Sequence, residues 1–272
     1  MIMHAIRPPA VAGVFYPGSS GTLAHEVSAM LAAAVKPAPE GRLPKAIIVP
    51  HAGYIYSGST AAAAYAGLAA GRGQITRVVL LGPVHRVPVR GLALPRVDAF
   101  ATPLGTIPLD QAAIALLRKL PQIVTNDAAH AREHSLEVQL PFLQIVLGNF
   151  SLIPLAVGDA SPAEIADVLD VLWGGPETLI VVSSDLSHFL PYAQAQAADQ
   201  QTVQNILALR GSLTHEQACG GTPVNGLLMA AKRHHLHPVL LEVCNSGDTA
   251  GDKDRVVGYA SFAFMEESVH GH

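Results

Sequence analysis

Four short apolar runs, each ending in a residue able to bind a metal or move a proton, constrain this chain more than any other feature. Ala46-Ile47-Ile48-Val49 leads into Pro50-His51-Ala52-Gly53, and Val78-Val79-Leu80-Leu81 leads into Gly82-Pro83-Val84-His85. Leu179-Ile180-Val181-Val182 is followed by Asp185 and His188, and Val239-Leu240-Leu241-Glu242-Val243 by Cys244. Such runs are too short for helices and lack the alternation of a half-wetted strand. They read as strands buried on both faces, the pattern of a parallel sheet sandwiched between helices.

Helical periodicity fills the intervals. Thr22 can cap a helix through Leu23, Val27, Met30 and Leu31, with Pro37 just beyond its end. An Ala-rich helix is expected from near Ser59 to before Gly71, and another from Pro108-Leu109-Asp110 through Leu120. Leu136, Leu140, Leu143 and Leu147 recur at helical spacing, with Pro141 marking a kink or break. Ser161-Pro162 opens a helix with a cap and a first-turn proline. Further helices are expected over 192–209, 214–219 and 223–233, and further strands over 89–97, 151–157 and 256–264. The alternation predicts an α/β fold: a single domain over 1–272, its mostly parallel sheet covered by helices on both faces, with 267–272 as a frayed tail.

Composition narrows the function classes. Half of the 272 residues are hydrophobic and 14% are charged, so the chain can bury a core and is not disordered. With a net charge of −4 and no clustered Lys or Arg, it offers phosphate backbones little to grip, which argues against nucleic acid. No apolar stretch reaches the roughly 18 residues of a membrane span, and no charged-then-apolar signal pattern opens the sequence. A cytoplasmic protein is the expectation. In that compartment Cys219 and Cys244 are free thiols or metal ligands before they are a disulfide.

In open α/β sheets ligands bind where loops converge at the carboxyl ends of the strands. Two imidazoles and one anionic ligand, with positions left open, let a metal activate substrate or dioxygen. His51, His85 and Cys244 supply that set. Asp185 and His188, three apart, fit an orienting group and a general acid/base, while Asp185 also suits a helix N-cap. His134 and Glu137 repeat the spacing beside Glu133; they contact substrate or serve as caps and core contacts. Tyr54 and Ser57 follow the first candidate ligand and are placed to line the pocket. The loop Cys219-Gly220-Gly221-Thr222-Pro223 lacks the lysine and spacing of a phosphate-binding loop. No Gly-x-Ser-x-Gly elbow is present, which leaves serine acyl transfer without support.

Several motifs in one order carry a resemblance. Ala12-Gly13-Val14-Phe15-Tyr16-Pro17, Pro50-His51-Ala52-Gly53-Tyr54, Gly82-Pro83-Val84-His85, Glu133-His134-Ser135-Leu136-Glu137, Ser183-Ser184-Asp185-Leu186-Ser187-His188 and Gly258-Tyr259-Ala260 together resemble the Memo family. Its prokaryotic members are called AmmeMemoRadiSam system protein B. That family is similar in fold to the class III extradiol dioxygenases. The resemblance implies His51 and His85 as ligands, His188 in the acid/base position, and Cys244 where those dioxygenases place a carboxylate. A thiolate there favours Cu(I), or Fe(II) and Zn. The resemblance also implies a link to a radical-SAM protein and a third pathway protein.

Two readings from different classes follow. One is a non-haem metal centre performing redox, oxygenase-like chemistry on a small-molecule or peptide substrate, with zinc-dependent hydrolysis as its metal-exchanged variant. The other is a non-catalytic module holding a peptide or anion in the same crevice.

Overall fold

The computed structural model describes residues 5–34 and 42–267. Pro37 and, from residue 268 on, the expected tail lie outside the described residues. In chain order the elements are β1 (Ile6–Arg7), α1 (Ser20–Ala33), β2 (Ala46–Val49), α2 (Tyr54–Ala66), β3 (Arg77–Pro83), β4 (Leu92–Leu94), β5 (Ala99–Thr102) and β6 (Gly105–Pro108). There follow α3 (Gln111–Leu117), β7 (Ile123–Thr125), α4 (Asp127–Ala131), α5 (Leu140–Leu147), β8 (Ser151–Val157) and α6 (Pro162–Leu172). The last are β9 (Thr178–Ser183), β10 (His188–Leu190), α7 (Tyr192–Leu207), α8 (Gly221–Arg233), β11 (Leu236–Asn245) and β12 (Val256–Glu266).

The apolar runs form the centre of the main sheet. Its order is β10-β12-β2-β9-β3-β8-β4-β7, with β11 paired to β12. β2, β9, β3 and β8 are parallel, and their side chains are buried almost without exception because helices cover both faces. The flanks run antiparallel, β12 against β2 and β4 against β8. Helices α1, α2 and α5 pack together, as do α6 and α8, giving the layers that flank the sheet. A second, three-stranded sheet, β1-β5-β6, was not expected. Its β5–β6 hairpin turns through Gly105 at φ 126°, a conformation that residues with a side chain rarely adopt.

Local chemistry sets the boundaries. Ser161 and Glu164 form the reciprocal capping box of α6, with Pro162 in the first turn. Ser19, not Thr22, caps α1: its hydroxyl accepts the Thr22 N–H at 3.3 Å. The helix α2 begins at Tyr54, directly after Gly53, so the loop carrying His51 is shorter than expected. Of the strand expected over 89–97, only Leu92–Leu94 forms. Residues 214–219 make turns rather than a helix, since Gly220-Gly221 follow at once and α8 starts there.

His130, in α4, gives the fold an acid-sensitive point. Its Nε2–H donates to Ala93 O at 2.9 Å, while Nδ1 is buried with no hydrogen-bond partner. Burial lowers its pKa from 6.5 to about 4. Between those values the unfolded chain binds the proton that the folded chain refuses, so stability is present above pH 6.5 and lost as pH falls toward 4. Acidification from pH 7 to 5 is expected to remove about 2 kcal/mol through this residue. Urea unfolding across that range measures it: His130→Gln should flatten the slope by nearly one proton, and an unchanged slope contradicts the assignment.

Candidate metal centre

Because β2, β9, β3 and β8 are parallel, their carboxyl ends open on one side of the sheet. His51 leaves the end of β2, and its main-chain N–H donates to Asp185 Oδ1 at 2.7 Å, tying it to the loop after the neighbouring β9. Its ring Nδ1 lies 2.9 Å from Ser183 Oγ. Ser183 has one hydroxyl proton, given to Ser135 O at 2.6 Å, and it already accepts Gln139 Nε2–H at 2.9 Å. The His51 Nδ1 must therefore be the donor, which leaves Nε2 with a free lone pair. Burial, and then the neighbouring imidazoles of His134 and His85, hold His51 well below the usual imidazole range. It is a neutral ring ready to act as a ligand.

His85 follows β3, and His134 stands in the turn after α4. Glu133 touches both: Oε2 accepts the His85 main-chain N–H at 2.7 Å, and Oε1 lies 2.8 Å from His85 Nδ1 and 3.3 Å from His134 Nδ1. Gly82 permits the approach, for a Cβ there would meet Ser135 Oγ at 2.8 Å. Ring centroids are 5.2 Å apart for His51 and His85, 5.4 Å for His51 and His134, and 4.7 Å for His85 and His134. One ligand atom from each of the three lies within 4.8 Å of the others, a spacing able to hold one ion.

The cluster borders a cavity of about 910 Å³ whose walls include Val84, His85, Val157, His188, Leu190 and Cys219. That size suits a small-molecule or short peptide ligand. His188 Nδ1–H donates to Leu186 O at 2.9 Å, leaving Nε2 available. Cys219 Sγ sits 3.2 Å from His51 Nε2. Burial and the charge of Asp185 push the Cys219 thiol up to about 12, so it is protonated at neutral pH and donates to that lone pair. Burial also raises Asp185 above the usual carboxylate range, although the His51 N–H pulls the other way.

Of the residues expected at the site, His51, His85 and His188 reach the carboxyl ends of the strands, and Asp185 orients His51 through its main chain. Cys244 does not join them. It lies on β11, separated from β2 by β12, two strand spacings or roughly 10 Å to the side. Its Sγ lies 3.0 Å from Thr60 Oγ1. His134 takes the third position among the donors. Glu137, expected to contact substrate, is fully buried and accepts Arg7 Nη1 at 2.6 Å, Ala10 N at 2.7 Å, Val11 N at 2.9 Å and Tyr16 O–H at 2.6 Å. Tyr54 donates to Val138 O with its ring against Phe142, and Ser57 donates to Ala52 O. All three side chains are buried and already bonded within the fold. Reading the sequence offered Cys219 as a free thiol or metal ligand without placing it beside His51, and missed Ser183 and Gln139 as partners of that ring. The signal for Cys219 was the following glycine: a Cβ at Gly220 would meet Ser184 Cβ at 2.6 Å, so this loop packs onto the end of β9.

With this geometry in place, likeness to known proteins becomes informative. Residues 7–263 match the family described as Memo-like protein. The chain belongs to the Memo family. This Memo-family chain is 34% identical to a MEMO1 family protein of Sulfurisphaera tokodaii, over 95% of this chain and 99% of that one. A MEMO1 family protein of Aquifex aeolicus is 34% identical over 96% and 99%, and one of Methanopyrus kandleri 36% over 95% and 98%. The solved structure of an uncharacterized protein from Escherichia coli K12 superposes with a TM-score of 0.51 at 14% identity, covering 81% of this chain and 99% of that one. That likeness shows a shared fold. No helix among the described residues is long and apolar enough to cross a membrane.

Proposed function

We propose that this Memo-family chain holds one metal ion on His51, His85 and His134, and that the centre performs redox, oxygenase-like chemistry on a small molecule or peptide in the adjoining cavity. The observation that carries the reading is the convergence of three imidazole nitrogens within 4.8 Å beside a cavity. The donor set fits: neutral imidazoles suit iron, copper and zinc, and three of them leave coordination positions open. Fe(II) is the favoured ion. The argument for Cu(I) from the Cys244 thiol loses its basis with that residue at Thr60, and Cys219 is the sulfur near enough to join or shield the ion.

When bound, the metal supplies Lewis acidity and, if iron or copper, electron transfer. The chain's own residues do the rest. Asp185 and Ser183 fix His51 at its main chain and ring. His188 lines the cavity with its Nε2 unengaged, placed to take or give a proton to a ligand there. Val84, Val157 and Leu190 exclude water from an apolar part of the substrate. Zinc-dependent hydrolysis is a second reading, favoured by the all-imidazole donor set. In it Glu137 cannot be the base, being locked on Arg7. The link to a radical-SAM protein and a third protein belongs to this proposal through the family resemblance alone.

Protein purified without a histidine tag and analysed for metals provides the test. One iron per chain, with oxygen uptake on substrate addition, supports the redox reading; one zinc supports hydrolysis. A chain that takes up no ion under argon when offered Fe(II), Zn or Cu(I) overturns both.

A further inference from the structure

Two of the three imidazoles share a partner that the third lacks. Glu133 is buried, and its carboxylate receives His85 N on Oε2 at 2.7 Å and, on Oε1, His85 Nδ1 at 2.8 Å, His134 N at 2.9 Å and Ser135 N at 3.1 Å. His134 Nδ1 approaches the same oxygen at 3.3 Å. An ionised carboxylate only accepts, so every nitrogen facing it carries a proton.

We propose that Glu133 is the positioning residue of the centre: one carboxylate fixes His85 and His134 together in the Nδ1–H tautomer, leaving Nε2 of both rings free for the ion. The proposal rests on the three-imidazole reading above and deepens it. Ser183 imposes the same tautomer on His51 through a neutral hydroxyl, so the three rings present matched lone pairs before any ion arrives. His85 is gripped at main chain and ring by the two oxygens of one group, which sets its orientation as well as its proton.

The carboxylate is itself anchored. Arg7 donates from Nη2 to Glu133 O and from Nε to His130 O, each at 2.7 Å, holding the backbone on either side of the turn. The main-chain N–H groups of His85, His134 and Ser135 point at its two oxygens, which requires both to be acceptors. A capping role alone would account for the bonds from His134 N and Ser135 N. It would not account for both rings turning Nδ1 toward one oxygen.

Removing both acceptors separates the two roles. Glutamine would keep an acceptor at the Oε1 position, where the capping bonds and both rings meet, and would set its N–H only against the His85 main-chain N–H; alanine leaves neither ring an acceptor. Long-range proton–nitrogen correlation spectra of the metal-free, nitrogen-labelled chain read the tautomers directly. Wild type should show Nδ1–H at His85 and His134, and Glu133→Ala should convert at least one ring to Nε2–H. Zinc affinity, measured separately by calorimetry, should fall roughly 10–100-fold. Nε2–H at either ring in wild type, or unchanged tautomers in Glu133→Ala, overturns the proposal. If Glu133→Ala does not fold, the wild-type spectrum still decides, and Glu133→Asp, too short to span both rings, should release one of them. Matched tautomers with no zinc uptake would support the positioning role and sink the metal reading instead.

Discussion

Glu137→Ala is expected to destabilise the chain by about 3–5 kcal/mol, the usual result of removing one member of a buried ion pair. The carboxylate is fully buried, and four donors converge on it: the Arg7 guanidinium, the main-chain N–H groups of Ala10 and Val11, and the Tyr16 hydroxyl. Alanine leaves a cation and three neutral donors facing an empty space, and each orphaned donor adds its own cost. Since whole domains are stable by only about 5–15 kcal/mol, the loss is a large fraction of the total. The damage should extend to the metal centre, because Arg7 also holds the carbonyls of His130 and Glu133. Removing both charges should cost less: Arg7→Met with Glu137→Leu leaves no stranded cation, and the double variant should be more stable than Glu137→Ala. Urea unfolding midpoints of the three chains decide it. A loss below about 1 kcal/mol in Glu137→Ala would mean that the N-terminal segment is not held by this pair.

The strands were legible because burial on both faces leaves a nearly unbroken apolar run, and the residues that end β2, β3 and β9 follow from that. What the sequence does not carry is lateral order. Cys244 ends an apolar run like the others, but β11 pairs only with the antiparallel β12, which sets it apart from the parallel centre where His51 and His85 emerge. The hydrophobic periodicity of β11 is the same wherever it lies in the sheet. Spacing misled in a second place. His134 and Glu137 would share a face on a helix, yet His134 is in irregular backbone, 135–136 is a turn and Glu137–Gln139 a tight 3₁₀ segment, with α5 starting only at Leu140. The two side chains consequently part, one to the imidazole cluster and the other to Arg7. Cys219 was visible as a free thiol or metal ligand, but its place beside His51 was not, because its loop has no periodicity at all; the crowding at Gly220 is what brings it there.

A metal titration of paired variants should therefore separate the ligands by place in the fold rather than by residue type. His134→Ala removes one of three converging nitrogens and is expected to weaken Fe(II) or zinc binding by more than about 100-fold, beyond the loss typical of an outer partner. Cys244→Ser should leave the affinity unchanged, since its sulfur is engaged with Thr60 and lies two strands away from β2. Cys219→Ser tests the nearer sulfur. In the metal-free chain its thiol proton caps His51 Nε2, so an ion must displace that hydrogen bond before the ring can bind. Serine's Cβ–O bond, shorter than Cβ–S, draws the donor away from His51, and if the thiol only shields the ring, metal affinity should hold or rise; if sulfur is a fourth ligand, affinity should fall. The comparison is made under argon, where neither cysteine oxidises during the titration. Strong binding retained in His134→Ala but lost in Cys244→Ser would reverse the ligand assignment, and with it the claim that lateral strand order, not the ending of each apolar run, selects the site.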